Sequence, residues 1–173
     1  DSYKGKILQF EIDNNQPNIL SLGHRNSQGL EYDKDNDILF STDHGPQGGD
    51  EINIDINPDL KNIKNYGWGI SSYGEHYGFP ESVNPKEYEA APLHKSHKKF
   101  GFIEPLTYFV PSIAITQIDF IDDPISDERN FFVAALGNDL EEGDMSIHNI
   151  IFNKKNYWEK KLHHIIPIGE RIR

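Results

Sequence analysis

Between Gly23 and Asn53 the chain concentrates groups that can hold a ligand. Gly23-His-Arg-Asn-Ser-Gln-Gly-Leu30 is followed by Ser41-Thr-Asp-His-Gly-Pro-Gln-Gly-Gly-Asp-Glu-Ile-Asn53. Arg25 carries a planar fork of donors that clamps a carboxylate or stacks on a flat ring, and Asn26 and Gln28 add directional amide hydrogen bonds. In the second segment Pro46 has no N–H to donate, and the neighbouring glycines permit tight, irregular backbone. Such a loop can aim carbonyl oxygens at one point, which suits a calcium ion. Asp50, after the turn, is a carboxylate of the kind that orients and charge-stabilises a histidine base. At the far end, Gly169-Glu-Arg-Ile-Arg173 places Arg171 and Arg173 at alternate positions, which on a strand face one side and grip one anion together.

Short alternating runs must position these groups. Gly5 to Asp13, Asn18 to Leu22, Leu30 to Tyr32, Ile38 to Thr42 and Glu51 to Ile56 each read as a strand. Later come Leu106 to Val110, Ile115 to Ile121, Phe131 to Leu136, Ser146 to Phe152 and His164 to Ile168. Asp59 to Lys64 has room for one helical turn, and no long stretch shows helical spacing. Many short strands separated by turn residues imply an all-β sandwich, barrel or propeller. A propeller blade takes about 40–50 residues, so the chain holds about three to four blades. Tyr73 to Gly101 lacks alternation and reads as a long excursion over one face, a common place for function.

Composition narrows the class. The 173 residues carry a net charge of −11, which argues against nucleic acid as a partner. With no cysteine, thiolate catalysis, disulfides and cysteine zinc sites are excluded. No apolar run approaches the roughly 20 residues of a membrane span. The chain opens on Asp1 and stops at Arg173 within a motif, so it is expected to be a piece of a longer protein.

The order Gly5-Lys-Ile-Leu8, Gly23 to Leu30, His44 to Asn53, Asn65 to Trp68, Pro111-Ser-Ile-Ala114, Phe131 to Leu136 and Arg171 to Arg173 resembles a known family. It is that of the soluble aldose and glucose dehydrogenases that use pyrroloquinoline quinone (PQQ), the glucose/sorbosone dehydrogenases, which are six-bladed β-propellers. The resemblance implies a partial β-propeller lacking its N-terminal blades. It also implies oxidation of an aldose C1 hydroxyl to a lactone, with PQQ and Ca²⁺ as cofactors. On that resemblance Arg25, Asn26, Gln28, Arg171 and Arg173 contact PQQ, and the main-chain oxygens of Gly45 and Pro46 ligate Ca²⁺. Glu51 and the Tyr66 carbonyl hold a second, structural Ca²⁺, and Asp50 pairs with a catalytic histidine that lies before this chain. His44 is a wall residue. The implied partners are a sugar, an external electron acceptor, the remaining blades and a second copy in a homodimer. The implied location is periplasmic or secreted. Gly137-Asn138 stands where several members carry a lysine that touches the cofactor.

Other features are read as inert. Asp33-x-Asp35-x-Asp37 mimics an EF-hand start but lacks its glycine and its twelfth-position acid, so it reads as a solvated hairpin tip. His94-x-x-His97 reads as exposed. Two rival functions are a non-catalytic propeller binding module, which the glycine at 137 favours, and a calcium-dependent sugar hydrolase. The hydrolase needs convergent carboxylates, whereas Asp50 and Glu51, adjacent in a strand, point to opposite faces.

Overall fold

The computed structural model describes residues 2–13, 16–75, 85–86, 96–137, 139–141 and 143–173. Eleven strands run in order: β1 (Lys6–Phe10), β2 (Pro17–Leu22), β3 (Ser27–Asp33), β4 (Ile38–Asp43), β5 (Asp50–Ile56), β6 (Lys64–Asn65), β7 (Thr107–Phe109), β8 (Ile115–Asp122), β9 (Glu128–Ala135), β10 (Ser146–Asn153) and β11 (Asn156–Pro167). They form three successive sheets, ordered β1-β2-β6, β3-β4-β5-β7 and β8-β9-β10-β11. The architecture is all-β and matches a partial propeller, each sheet a blade built mostly from antiparallel neighbours.

Period-two patterning makes the sheets. In β10 the residues alternate strictly between buried and half-buried, turning Ser146, His148, Ile150 and Phe152 inward. The core lies between the second and third sheets, where Phe40, Ile52, Ile54, Ile115, Ile118, Phe131, Val133 and Phe152 pack. Each such side chain contributes about 1.5–3 kcal/mol by burial. Gly29 lets β3 approach β8 closely: a Cβ there would stand 2.8 Å from Thr116 O and 2.9 Å from the Gln117 Cα.

β5 departs from simple amphipathicity. Ile52 and Ile54 face the core, yet Glu51, Asn53 and Asp55 on the other face are buried too. The chain after β5 covers that polar face. It does not form the helical turn expected over Asp59 to Lys64. A tight turn closes there by Asn62 N–H donating to Asp59 O (3.0 Å), and the chain then crosses to pair β6 with β2 in parallel. Lys64 secures the crossing by an ion pair to Asp55 and a hydrogen bond to Ile56 O (2.6 Å). The last hairpin is longer than the expected His164 to Ile168, since β11 starts at Asn156 and pairs along the whole of β10.

Two other sequence expectations fail. Asp33 is buried, not part of a solvated tip. In the turn that follows β3 it accepts from the N–H groups of Asp35 (3.1 Å) and Asn36 (3.2 Å), and it pairs with Arg129 Nη1 at 2.6 Å. Asp35 and Asp37 do face solvent. Residues 170–173 form no strand, so Arg171 and Arg173 are not set on one face by strand alternation.

Candidate functional site

Asp43, the last residue of β4, organises the Gly23–Leu30 segment. Its Oδ1 accepts from Asn26 N–H (2.5 Å) and its Oδ2 from His24 Nδ1–H (3.1 Å). His24 Nε2 then accepts from the Ser21 hydroxyl (2.8 Å), and the Tyr66 ring stacks on the imidazole at 4.7 Å. The order Ser–His–Asp is that of a hydrolytic triad, but Ser21 is 1% exposed and His24 2%. No substrate reaches that hydroxyl, so the array is a brace. Beside it, Arg25 donates from Nη1 to His44 O (3.1 Å) and lies over the Trp68 ring, 5.4 Å from its centroid. Asn26 and Gln28 are exposed neighbours, with Gln28 Nε2 donating to Asn26 Oδ1 (3.0 Å).

The Gly45-Pro46 loop is fastened by Asp50. This carboxylate is fully buried and accepts from Gly45 N–H (3.0 Å), Ser112 Oγ (2.5 Å), Ile113 N–H (3.1 Å) and Ile115 N–H (3.0 Å). A carboxylate offers about four acceptor positions. All are filled from within the chain, so pairing with a histidine would require one donor to leave. The loop itself crowds oxygens: a Cβ on Gly45 would collide with the carbonyl oxygens of Gly48 and Gly49. His44, expected as a wall residue, reaches across to Ile115 O (2.5 Å) and ties the loop to β8.

Glu51 points the opposite way from Asp50, as its position in the strand requires. Burial, with Asp43 nearby, pushes its pKa up to about 8. Its contacts are long, 3.4 Å from Asn53 Nδ2 and 3.4 Å from His97 Nε2. His97 is 1% exposed, which corrects the expectation of an exposed pair; His94 lies outside the described residues. The Tyr73 ring covers His97 at 5.2 Å, and Tyr73 O–H is anchored on Glu104 (2.5 Å). Burial holds the His97 imidazole below its usual pKa.

A cavity of about 10 Å³ joins these parts, lined by Arg25, Asp43, Gly45, Glu51, Tyr66 and Trp68 among others. It has room for one ion or one water. Among the described residues no three His, Cys, Asp or Glu side chains converge as a metal cluster. A cation there would face the buried carboxylates of Asp43 and Glu51 and would take main-chain oxygens for the rest, a donor set suited to a hard cation. Tyr66 itself is 3% exposed, with its hydroxyl donating to Ile54 O (2.9 Å).

With this geometry in view, comparison with known proteins decides the family. The glucose/sorbosone dehydrogenase family matches over residues 8–173. The chain belongs to the glucose/sorbosone dehydrogenase family. It is 31% identical over 152 residues to the aldose sugar dehydrogenase YliI of Escherichia coli, covering 79% of this chain and 37% of that protein. It is 32% identical over 90 residues to quinoprotein glucose dehydrogenase B of Acinetobacter calcoaceticus, covering 45% of this chain and 18% of the relative. A solved glucose dehydrogenase superposes with TM-score 0.67 at 24% identity, over 98% of this chain and 46% of the other; this likeness shows the fold. The chain thus spans less than half the length of these relatives.

In this family member the C-terminal arginine segment lies at the same end of the sheets as Arg25. Arg171 Nε donates to Leu136 O (2.7 Å), Ile172 N–H to Ala135 O (3.4 Å), and Thr116 Oγ1 to Ile172 O (2.9 Å). Ala135 pairs with Ile115, whose carbonyl holds His44, whose own carbonyl holds Arg25. Arg173 is exposed. Gly137 admits no side chain while Asp144 keeps its place, because a Cβ would collide with the Asp144 carboxyl group. Sequence reading gives no role to Asp43 or His24, although both lie within the segments it singles out. It misses His97 because nothing in Lys95-Ser-His-Lys98 signals burial.

Proposed function

We propose that the protein containing this chain oxidises the C1 hydroxyl of aldose sugars to lactones with PQQ and Ca²⁺, and that this chain supplies part of the cofactor site. The observation that carries the reading is the meeting of Arg25, the oxygen-rich Gly45 loop, Glu51 and Tyr66 around one small polar cavity. Arg25, Arg171 and Arg173 neutralise and orient the cofactor's carboxylates, and the amides of Asn26 and Gln28 fix its rotation. Gly45 and Pro46 would offer main-chain oxygens to Ca²⁺, while Glu51 and the Tyr66 carbonyl would hold a second cation, the one for which the small cavity has room. When bound, PQQ supplies the two-electron acceptor and Ca²⁺ the Lewis acid. Asp50 acts through the loop, keeping Gly45 and β8 in register. The sugar's proton is removed by a histidine from the remaining blades, and an external acceptor takes the electrons. A periplasmic or secreted location fits the family, and no helix among the described residues is long and apolar enough to cross a membrane.

Calorimetric titration of PQQ into the calcium-loaded full-length protein tests this. Removing a charged donor costs about 1.5–3 kcal/mol, so Arg25→Ala is expected to weaken PQQ binding by roughly ten- to hundredfold. Wild-type affinity in that variant would overturn the assignment. One observation favours the binding-module reading: the Asp144 carboxylate occupies the space a side chain at 137 would need. Sugar binding without PQQ binding would select it.

A further inference from the structure

A second cleft, of about 250 Å³, opens between β7 and the β10–β11 hairpin and shares no lining residue with the cavity above. Phe109, Val110 and Ile165 form its apolar side, and His148, Lys160 and His163 its polar side. Hydrogen bonding fixes the protons of the two imidazoles. His148 Nε2 lies 2.7 Å from Gly143 O, and a carbonyl only accepts, so this nitrogen carries hydrogen. His148 Nδ1 lies 2.9 Å from His163 Nε2, and one proton fits between them. Both rings are held below the usual histidine pKa, first by burial; for His163 the neighbours His148, Lys160 and His164 further disfavour a positive charge and bring the value to about 4. At neutral pH both rings are therefore neutral, His163 Nε2–H donates to His148, and His163 Nδ1 is a bare base. One further proton, whichever ring takes it, must appear as an N–H on His163 Nδ1.

Among the described residues no Asp or Glu lines the cleft. Lys154, Lys155 and Lys161 each pair with a carboxylate, but Lys160 makes no ion pair among the described residues. The groups facing His163 are Lys160 and His164 on its own strand, His148 on β10 and the Phe109 ring edge on β7; the acid Asp144 acts on His148. A basic pocket with an apolar wall, in a chain of net charge −11, is a site for an organic anion.

We propose that this cleft binds a small carboxylic acid with an apolar body. Lys160 takes the carboxylate, a proton drawn from solvent onto His163 Nδ1 donates to it, and Phe109, Val110 and Ile165 cover the body. The inference does not rest on the sugar reading. Benzoate titrated into the full-length protein, followed by calorimetry and by the histidine ring resonances, tests it. Because one proton enters with the anion, affinity is expected to rise as pH falls from 7 to 5, by up to about tenfold per unit. Lys160→Met should lower affinity at least about tenfold, and His163→Phe should abolish the pH slope while keeping the apolar fill. Absence of saturable binding at millimolar benzoate, a flat pH response in the wild type, or unchanged binding in Lys160→Met would each overturn it.

Discussion

Asp50 illustrates how much one buried carboxylate can organise. It holds the Gly45 loop, Ser112 and the start of β8 at once, with both oxygens saturated. Asp50→Asn keeps the shape but turns an NH₂ toward two donors, whichever oxygen it replaces. The expected loss is about 3 kcal/mol of stability, read as a lower urea midpoint. An enzyme role confined to orienting a histidine predicts the opposite: unchanged stability with reduced turnover. Glu51, one residue on, has only long contacts, and burial raises its pKa to about 8. Strand alternation alone separates these two roles, and alternation is legible in Asp50-Glu-Ile-Asn53. The partners are not, because Ser112 and His97 come from segments far along the chain.

Between elements, Arg129 on β9 joins the second and third sheets. It is 1% exposed, pairs with Asp33 of β3 and Asp122 of β8, and lies over the Phe120 ring at 3.8 Å. Arg129→Met keeps the packing stem but strands the Asp33 carboxylate, at an expected cost of about 3–5 kcal/mol in a denaturant melt. The pH dependence has a definite sign. Burial tends to raise Asp33, but hydrogen bonds from Asn36 and Arg129 outweigh it; Asp122 is lowered chiefly by Arg129. Both folded values lie below the unfolded value of about 4. Their stabilisation is complete above that value and is lost as pH falls through the folded values. Wild type should therefore lose more stability than Arg129→Met between pH 5 and pH 2, and parallel curves would refute the interface role. From the sequence Asp33 belongs to a polar tip, since a hairpin reads as local until the sheet that packs on it is known.

For the whole molecule, Arg25, the Gly45 loop and Glu51 meet at one cavity of this chain, but the proposed histidine base comes from other blades. The 173-residue chain alone is expected to give no sugar-dependent dye reduction with PQQ and Ca²⁺; steady turnover by the purified chain would contradict the proposal. What the amino-acid order determined by itself was local: strand periodicity, the glycine-proline loop and the ordered motifs of the family, because these depend on neighbours within a few residues. Burial of His97, the Asp33–Arg129 link, the saturation of Asp50 and the His148–His163 pair were decided by tertiary structure alone. Each joins residues from different strands or loops, and only the packing of one element on another sets whether a polar side chain meets water, a partner or a cavity.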